Sequence, residues 1–312
     1  MNGDASSPGA PRAAAPQQAA AGQAAAGNGP RQPDPPGASA RGATLAFPTS
    51  PFPYPRLIAH RGGGAGHRGT APENTLAGLA AAHAAGYRGV EVDVMLSADG
   101  VAFLHHDDTL ERTTDGRGPV AGTPAAQLER LDAGAWRGPA FAGERLPRLT
   151  AALDHCQALG LWLNLEIKPT PGRDAATAQA VADHLAARWP VLAAPEAAHA
   201  LPPLVISSFS TVALAEIARR LPAAPRALLA ERLPPDWRDR VDALGCAALH
   251  LDAARLETGA LAALRAAAPG LVLAAYTVNE PTAMAALFAA GIDALFTDRI
   301  DLAPAALLPP AP

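Results

Sequence analysis

From residue 56 to the C-terminal end, short apolar runs alternate with segments whose apolar positions recur every three or four residues, the pattern of a strand followed by a helix. Arg56-Leu57-Ile58-Ala59 reads as a first strand, and a helix is predicted over 74–85 after a glycine-rich turn. Tyr87 to Val94 is a second, buried strand, and Val101-Ala102-Phe103-Leu104, after the Asp99-Gly100 turn signal, folds back onto its end as a hairpin. Further strands are predicted over 161–167, 203–207, 226–230, 247–251, 271–276 and 293–297. The helices fall over 149–159, 174–189, 211–221, 235–243, 257–268 and 281–290, with a short one near 302–308. Eight strands, each followed by a helix, imply a parallel sheet with right-handed crossovers. Eight such units in roughly 260 residues fit an α/β fold of the closed (β/α)8 TIM-barrel type. A doubly wound open sheet is the alternative.

Two stretches break the alternation. Residues 107–146 are polar, Gly-rich and irregular, and are expected to form a lid or small subdomain inserted after strand 2, anchored by Trp136 and Phe141. Residues 1–52 are Ala, Pro, Gly and Gln with few bulky apolar side chains, and are expected to be a disordered tail beside a barrel domain over 53–312. The tail lacks the basic start and leucine-rich core of a signal peptide, and no apolar run approaches the ~18–20 residues a membrane span needs. A cytoplasmic protein without stable membrane insertion is expected. The net charge of −4 makes nucleic acid an unexpected partner. Cys156 and Cys246 form no disulfide framework and read as reduced, structural thiols. Of the 25 Lys and Arg residues a single one, Lys168, is lysine, which points to a specific chemical task.

In a barrel of this kind the active site lies at the C-terminal ends of the strands. The residues expected at that rim are His60 and Arg61, Glu91 and Asp93, His105 and His106, Glu166 and Lys168, Ser207 and Ser208, Tyr276 and Asn279, and Thr297 with Asp298. Side chains two apart on a strand share a face, so Glu91 and Asp93 lie together, as do Glu166 and Lys168. Taken alone, the Glu91–Asp93 pair fits a cation site or a solvated strand end equally. Glu166 adds a third carboxylate, and an all-oxygen set favours a hard ion, Mg²⁺ or Ca²⁺, with zinc left open because imidazoles are near. Histidines suit proton transfer, and Arg61 and Lys168 suit an anion. Together these groups describe phosphate-ester hydrolysis. His105 and His106 point to opposite faces, and periodicity does not choose between them. His83, His155, His184, His199 and His250 read as structural or surface residues. Gly64-Ala65-Gly66-His67-Arg68-Gly69 satisfies the dinucleotide pattern G-x-G-x-x-G, but Pro72 follows where that fold needs a running helix.

Several short motifs recur in order: Ala59-His60-Arg61-Gly62-Gly63, Ala71-Pro72-Glu73-Asn74-Thr75, Glu91-Val92-Asp93, and His106-Asp107 followed by Leu110-Glu111-Arg112-Thr113-Thr114-Asp115-Gly116. Glu166-Ile167-Lys168-Pro169, Tyr276-Thr277-Val278-Asn279 and Thr297-Asp298 complete the set. From about Pro53 to Ala303 the chain resembles the glycerophosphodiester phosphodiesterases, and is similar to the cytosolic bacterial type associated with glycerol-phosphate uptake. The resemblance implies a (β/α)8 barrel with a small insertion after the second strand. It implies Glu91, Asp93 and Glu166 as ligands of Mg²⁺ or Ca²⁺, His60 and His106 as the acid–base pair, and Arg61 and Lys168 on the phosphate. Ser208, Tyr276 and Asn279 are candidates for the substrate pocket, and small-molecule glycerophosphodiesters are the implied partners. One departure is a lengthened loop that repeats His-Arg-Gly at residues 67–69 and offers His67 as a rival to His60. Alternatives are a lysophospholipid- or phosphoinositide-directed phosphodiesterase on the same barrel, or a barrel that binds without catalysis.

Overall fold

The structure, a computed structural model, describes residues 54–194, 201–256 and 258–308. The tail over 1–52 and His199 therefore lie outside the described residues. The strands are β1 (Leu57–Ala59), β2 (Gly89–Leu96), β3 (Ala102–Leu104), β4 (Trp162–Ile167), β5 (Leu204–Ser208), β6 (Arg226–Ala230), β7 (Ala248–Asp252), β8 (Val272–Tyr276) and β9 (Ala294–Thr297). The α-helices are α1 (Leu76–Ala84), α2 (Ala125–Leu128), α3 (Leu149–Leu159), α4 (Asp174–Arg188), α5 (Thr211–Arg220), α6 (Trp237–Leu244), α7 (Thr258–Ala267), α8 (Pro281–Ala289) and α9 (Pro304–Leu307). All strands but β3 run parallel in the order β1-β9-β8-β7-β6-β5-β4-β2, and β1 pairs with β2 to close the barrel. The fold is a (β/α)8 barrel. None of the described helices is long and apolar enough to cross a membrane.

Local chemistry sets the helix ends. The Thr75 hydroxyl accepts from the Gly78 amide at the start of α1, and Ser210 does the same for Ala213 at the start of α5. Glycines at 160 and 245 take left-handed conformations that stop α3 and α6. The outer faces of the strands pack on the helices in one large apolar core that includes Val92, Leu163, Leu165, Leu214, Leu249 and Leu273.

Inside the barrel, alternate residues point to the axis. The floor is filled by Ile58, Trp162, Val205, Phe296 and the alanines at 227, 248, 274 and 294, bulky side chains facing small ones. One step further along the same strands the inward positions become polar: His60, Glu91, Asp93, Glu166 and Asp298. A strand with period two thus carries an apolar floor and a polar mouth in one stripe.

β2 is longer than its partner β1, and β3 pairs antiparallel along the part that β1 leaves free, with Val94 opposite Leu104. The segment that follows β3 builds its own small core from Leu110, Val120, Ala125, Leu128, Ala133 and Leu146, closed against Met95 and Phe103. The expectation that Trp136 and Phe141 anchor it is corrected: both are only half-buried, whereas Leu110, Val120 and Leu128 are fully enclosed.

Candidate active site

Three carboxylates meet at the mouth of the barrel. Asp93 and Glu166 are direct partners across the β2–β4 pair, Glu91 lies two residues before Asp93, and ligand oxygens of all three fall within 4.8 Å of one another. Burial, then the charges of Asp93 and Glu166, push the Glu91 carboxyl well above the ordinary range. Burial and Asp93 push Glu166 to about 8, against the pull of Lys168 and Arg61. For Asp93 burial also opposes ionisation, but Arg61, His106, Lys168 and the Asn74 amide outweigh it and hold its carboxyl below the usual value. Glu91 Oε1 and Glu166 Oε1 are buried without a hydrogen-bond partner. Buried carboxylate oxygens without donors, in a set containing no thiol, fit a hard divalent cation.

Two histidines flank the cluster, each backed by an aspartate. His60, at the end of β1, bonds through Nδ1 to Asp298 Oδ1 at 2.8 Å and presents Nε2 4.0 Å from Glu91 Oε2. Asp298 is held in turn by the Ala65 amide at 2.8 Å and by Asn279 Nδ2 at 2.9 Å, while Asn279 Oδ1 accepts from the Asp298 amide. His106, just beyond β3, bonds through Nδ1 to Asp107 Oδ1 at 2.6 Å, and Lys168 Nζ lies 2.8 Å from Nε2. An ammonium can only donate, so Nε2 of His106 accepts and Nδ1 carries the proton given to Asp107. His105 is turned the other way, buried, with Nε2 against the Thr109 carbonyl at 3.0 Å, so of the two neighbouring rings it is His106 that lies against Lys168. His67 stands exposed with its ring 5.6 Å from that of Trp136, away from the carboxylates.

Arg61 ties the cluster to the loop before α1. It adopts a left-handed backbone (φ 53°), which aims its amide at Glu91 Oε2 (2.8 Å) while its guanidinium reaches Glu73 at 2.7 Å and lies 3.7 Å from Asp93. Asn74, also left-handed (φ 54°), donates to Asp93 Oδ2 and accepts from the Asp93 amide. The repeated glycines around residues 64–69 do not open a helix: they hold only a 3-10 turn (Gly66–Arg68), and α1 begins at Leu76. A dinucleotide would find no helix dipole there.

The remaining wall comes from β5, β6 and β8. Phe209, Leu229 and Tyr276 line the cavity that opens onto His60, Glu91 and Glu166, with Phe209 edge-on to Tyr276 at 6.0 Å.

The sequence profile of the glycerophosphoryl diester phosphodiesterase family matches residues 60–302. The chain belongs to this family. A phosphodiesterase of Oleispira antarctica, solved with the product sn-glycerol-3-phosphate, is 38% identical, covering 78% of this chain and 93% of that one at a TM-score of 0.70. A glycerophosphodiester phosphodiesterase of Agrobacterium tumefaciens is 27% identical, covering 80% of this chain and 99% of its own at a TM-score of 0.61. A glycerophosphodiester phosphodiesterase of Caldanaerobacter subterraneus is 39% identical over 112 residues, a match that spans 36% of this chain and 44% of that protein.

For this glycerophosphoryl diester phosphodiesterase family member, the predicted residues His60, Arg61, Glu91, Asp93, His106, Glu166, Lys168 and Tyr276 converge at the mouth. Ser208 is a correction. Its hydroxyl is buried outside the barrel axis and donates to the Ile167 carbonyl at 2.7 Å, whereas Ser207 points inward and accepts from Asn164. Asn279 spends both amide atoms on Thr297 and Asp298, so it supports His60 instead of lining the pocket. Periodicity gives Glu73, Asn74, Asp107 and Arg112 no task, because they lie on irregular segments; the motifs that contain them are the available signal.

Proposed function

We propose that the protein hydrolyses glycerophosphodiesters to sn-glycerol 3-phosphate and an alcohol such as choline, ethanolamine or glycerol. The observation that carries this reading is the pair of aspartate-backed histidines on either side of three converging carboxylates. Binding alone requires no proton-transfer pair, which disfavours a silent barrel. Glu91, Asp93 and Glu166 would hold a divalent cation, Mg²⁺ or Ca²⁺, which would supply positive charge for the phosphate. Lys168 and Arg61 add their own charge for the same anion, and Arg61 is kept in place by Glu73.

Asp298 and Asp107 each fix an imidazole by its Nδ1 proton and stabilise the imidazolium that forms on proton uptake; Nε2 of His60 faces the carboxylates, and Nε2 of His106, which accepts from Lys168, becomes available as that ammonium turns to the phosphate. The ring that enters neutral takes the nucleophile's proton at Nε2, while the other, entering as the imidazolium, gives its Nε2 proton to the departing alkoxide. Tyr276 and Phe209 offer a wall for one arm of the diester. The enzyme acts in the cytoplasm, with water-soluble diesters as its partners. Phe209 and Val212 are the exposed large apolar side chains among the described residues, which gives an acyl chain little to bind and disfavours a lysophospholipid. The test is turnover of glycerophosphocholine, with release of choline and sn-glycerol 3-phosphate, beside lysophosphatidylcholine. No turnover of the first by protein supplied with Mg²⁺ or Ca²⁺ would refute the proposal.

A further inference from the structure

The motif Leu110–Gly116 contributes no atom to the carboxylate cluster, yet it presents one side chain to the site with unusual economy. Arg112 donates from Nε to Asp107 Oδ2 (2.5 Å) and from Nη2 to Asp107 Oδ1 (2.9 Å). It also donates from Nη1 to Glu73 Oε2 and from Nη2 to Glu73 Oε1, both at 2.8 Å. One guanidinium therefore grips two carboxylates, each at both oxygens. We propose that Arg112 is a positioning residue for catalysis: through Asp107 it fixes His106, and through Glu73 it ties that ring to Arg61. The inference rests on the assignment of His106 to proton transfer.

The need for such a link follows from the backbone. β3 ends at Leu104, so His106 sits on irregular chain between a three-residue strand and the insertion. No strand pairing fixes its ring, and its two partners are Asp107 and Lys168. Asp107 is itself a quarter exposed, and without a second anchor its carboxylate would be free to rotate. Arg112 supplies that anchor, and Arg112 is itself held by Glu73. Glu73 is buried, accepts from the Gly66 amide at 2.6 Å, and bonds Arg61, whose own amide holds Glu91.

Arg112 is in turn held rigidly. Leu110 is fully enclosed in the insertion core, Thr114 is buried with its hydroxyl on the Leu110 carbonyl, and the Thr114 amide closes the turn on the same oxygen. The turn motif thus has a physical task, which is to aim one arginine. Lysine could not replace it, because a single ammonium lacks the planar fork that spans two carboxylates.

The experiment compares Arg112→Lys, Asp107→Asn, their double variant and His106→Ala in the full chain with Mg²⁺ or Ca²⁺ and glycerophosphocholine. Arg112→Lys is expected to lower kcat about 10- to 100-fold, with KM within about twofold because the guanidinium is spent on Asp107 and Glu73. The double variant should lose no more than the worse single variant, since both act through the same ring. Thermal unfolding checks that each variant is folded. Should Arg112→Lys not fold, Asp107→Asn, which leaves the Arg112–Glu73 pair in place, carries the same kcat-against-KM test. Full kcat in Arg112→Lys beside an inactive His106→Ala would overturn the inference, and so would losses that simply multiply in the double variant. Full activity in His106→Ala would instead refute the assignment of His106 on which it stands.

Discussion

Replacing Glu73 by Gln keeps the shape of the side chain and removes its charge from between two arginines. Burial opposes ionisation of this carboxyl, but the Arg112 hydrogen bonds, the Arg61 charge and the Gly66 amide together lower it from 4.5 to about 2. A gap of about 2.5 pH units, at about 1.36 kcal/mol each, amounts to about 3 kcal/mol of folding stability carried by the ionised form. Because the folded-state value is the lower one, the contribution is complete above pH 4.5 and is lost as pH falls through about 2. Glu73→Gln should therefore be less stable than the parent by about 3 kcal/mol at pH 7, a fall of roughly 6–12 °C in Tm for a domain of this size. By pH 3.5 the difference should narrow to about 2 kcal/mol. Urea unfolding of both proteins at pH 7, 5 and 3.5 measures it. A difference that stays constant with pH would mean that packing, not charge, is what Glu73 supplies, and the reasoning would fail.

Dialysis against EDTA should abolish turnover of glycerophosphocholine, and Mg²⁺ or Ca²⁺ should restore it; Glu91→Ala that stays fully active after the same treatment would rule out the cation site. Asp298→Asn should reduce kcat by about 100- to 10,000-fold, since it disturbs the tautomer and aim of His60, with activity at the parental level as the contrary result. His106→Ala should lose nearly all turnover, and choline release by that variant at an undiminished rate would exclude it from proton transfer. Burial lowers His250, on the barrel floor, to about 3. Its neutral form is the folded one, so stability should be full above pH 6.5 and fall by about 4 kcal/mol on the way to pH 3. His250→Leu should flatten that slope in acid-unfolding curves, and an unchanged slope would contradict the account.

The barrel was legible because its units are local: each strand and helix announces itself over five to fifteen residues of pattern, and right-handed crossovers leave few ways to join them. Glu91 and Asp93 could be placed together from strand parity alone. That Asp93 faces Glu166 depends on the β2–β4 register, which two separate strands do not encode in either sequence by itself. Ser208 was misassigned because β5 is buried on both faces, so its sequence offers no contrast between inside and outside. The Glu73–Arg112–Asp107 link was hidden for another reason. Its members lie on turns, and turn sequence specifies backbone shape without saying which distant side chain the turn will meet.

Lys168 gives the molecule an uncommon chemical address. It is the one lysine of the chain, and its amine lies against His106 Nε2 at the mouth of the barrel. Apart from the α-amino group, every amine-directed reagent that reacts with this protein must therefore react where the phosphate is proposed to bind. A single label can report occupancy of the site, and a bound anion can shield it, without engineering a residue anywhere in the chain.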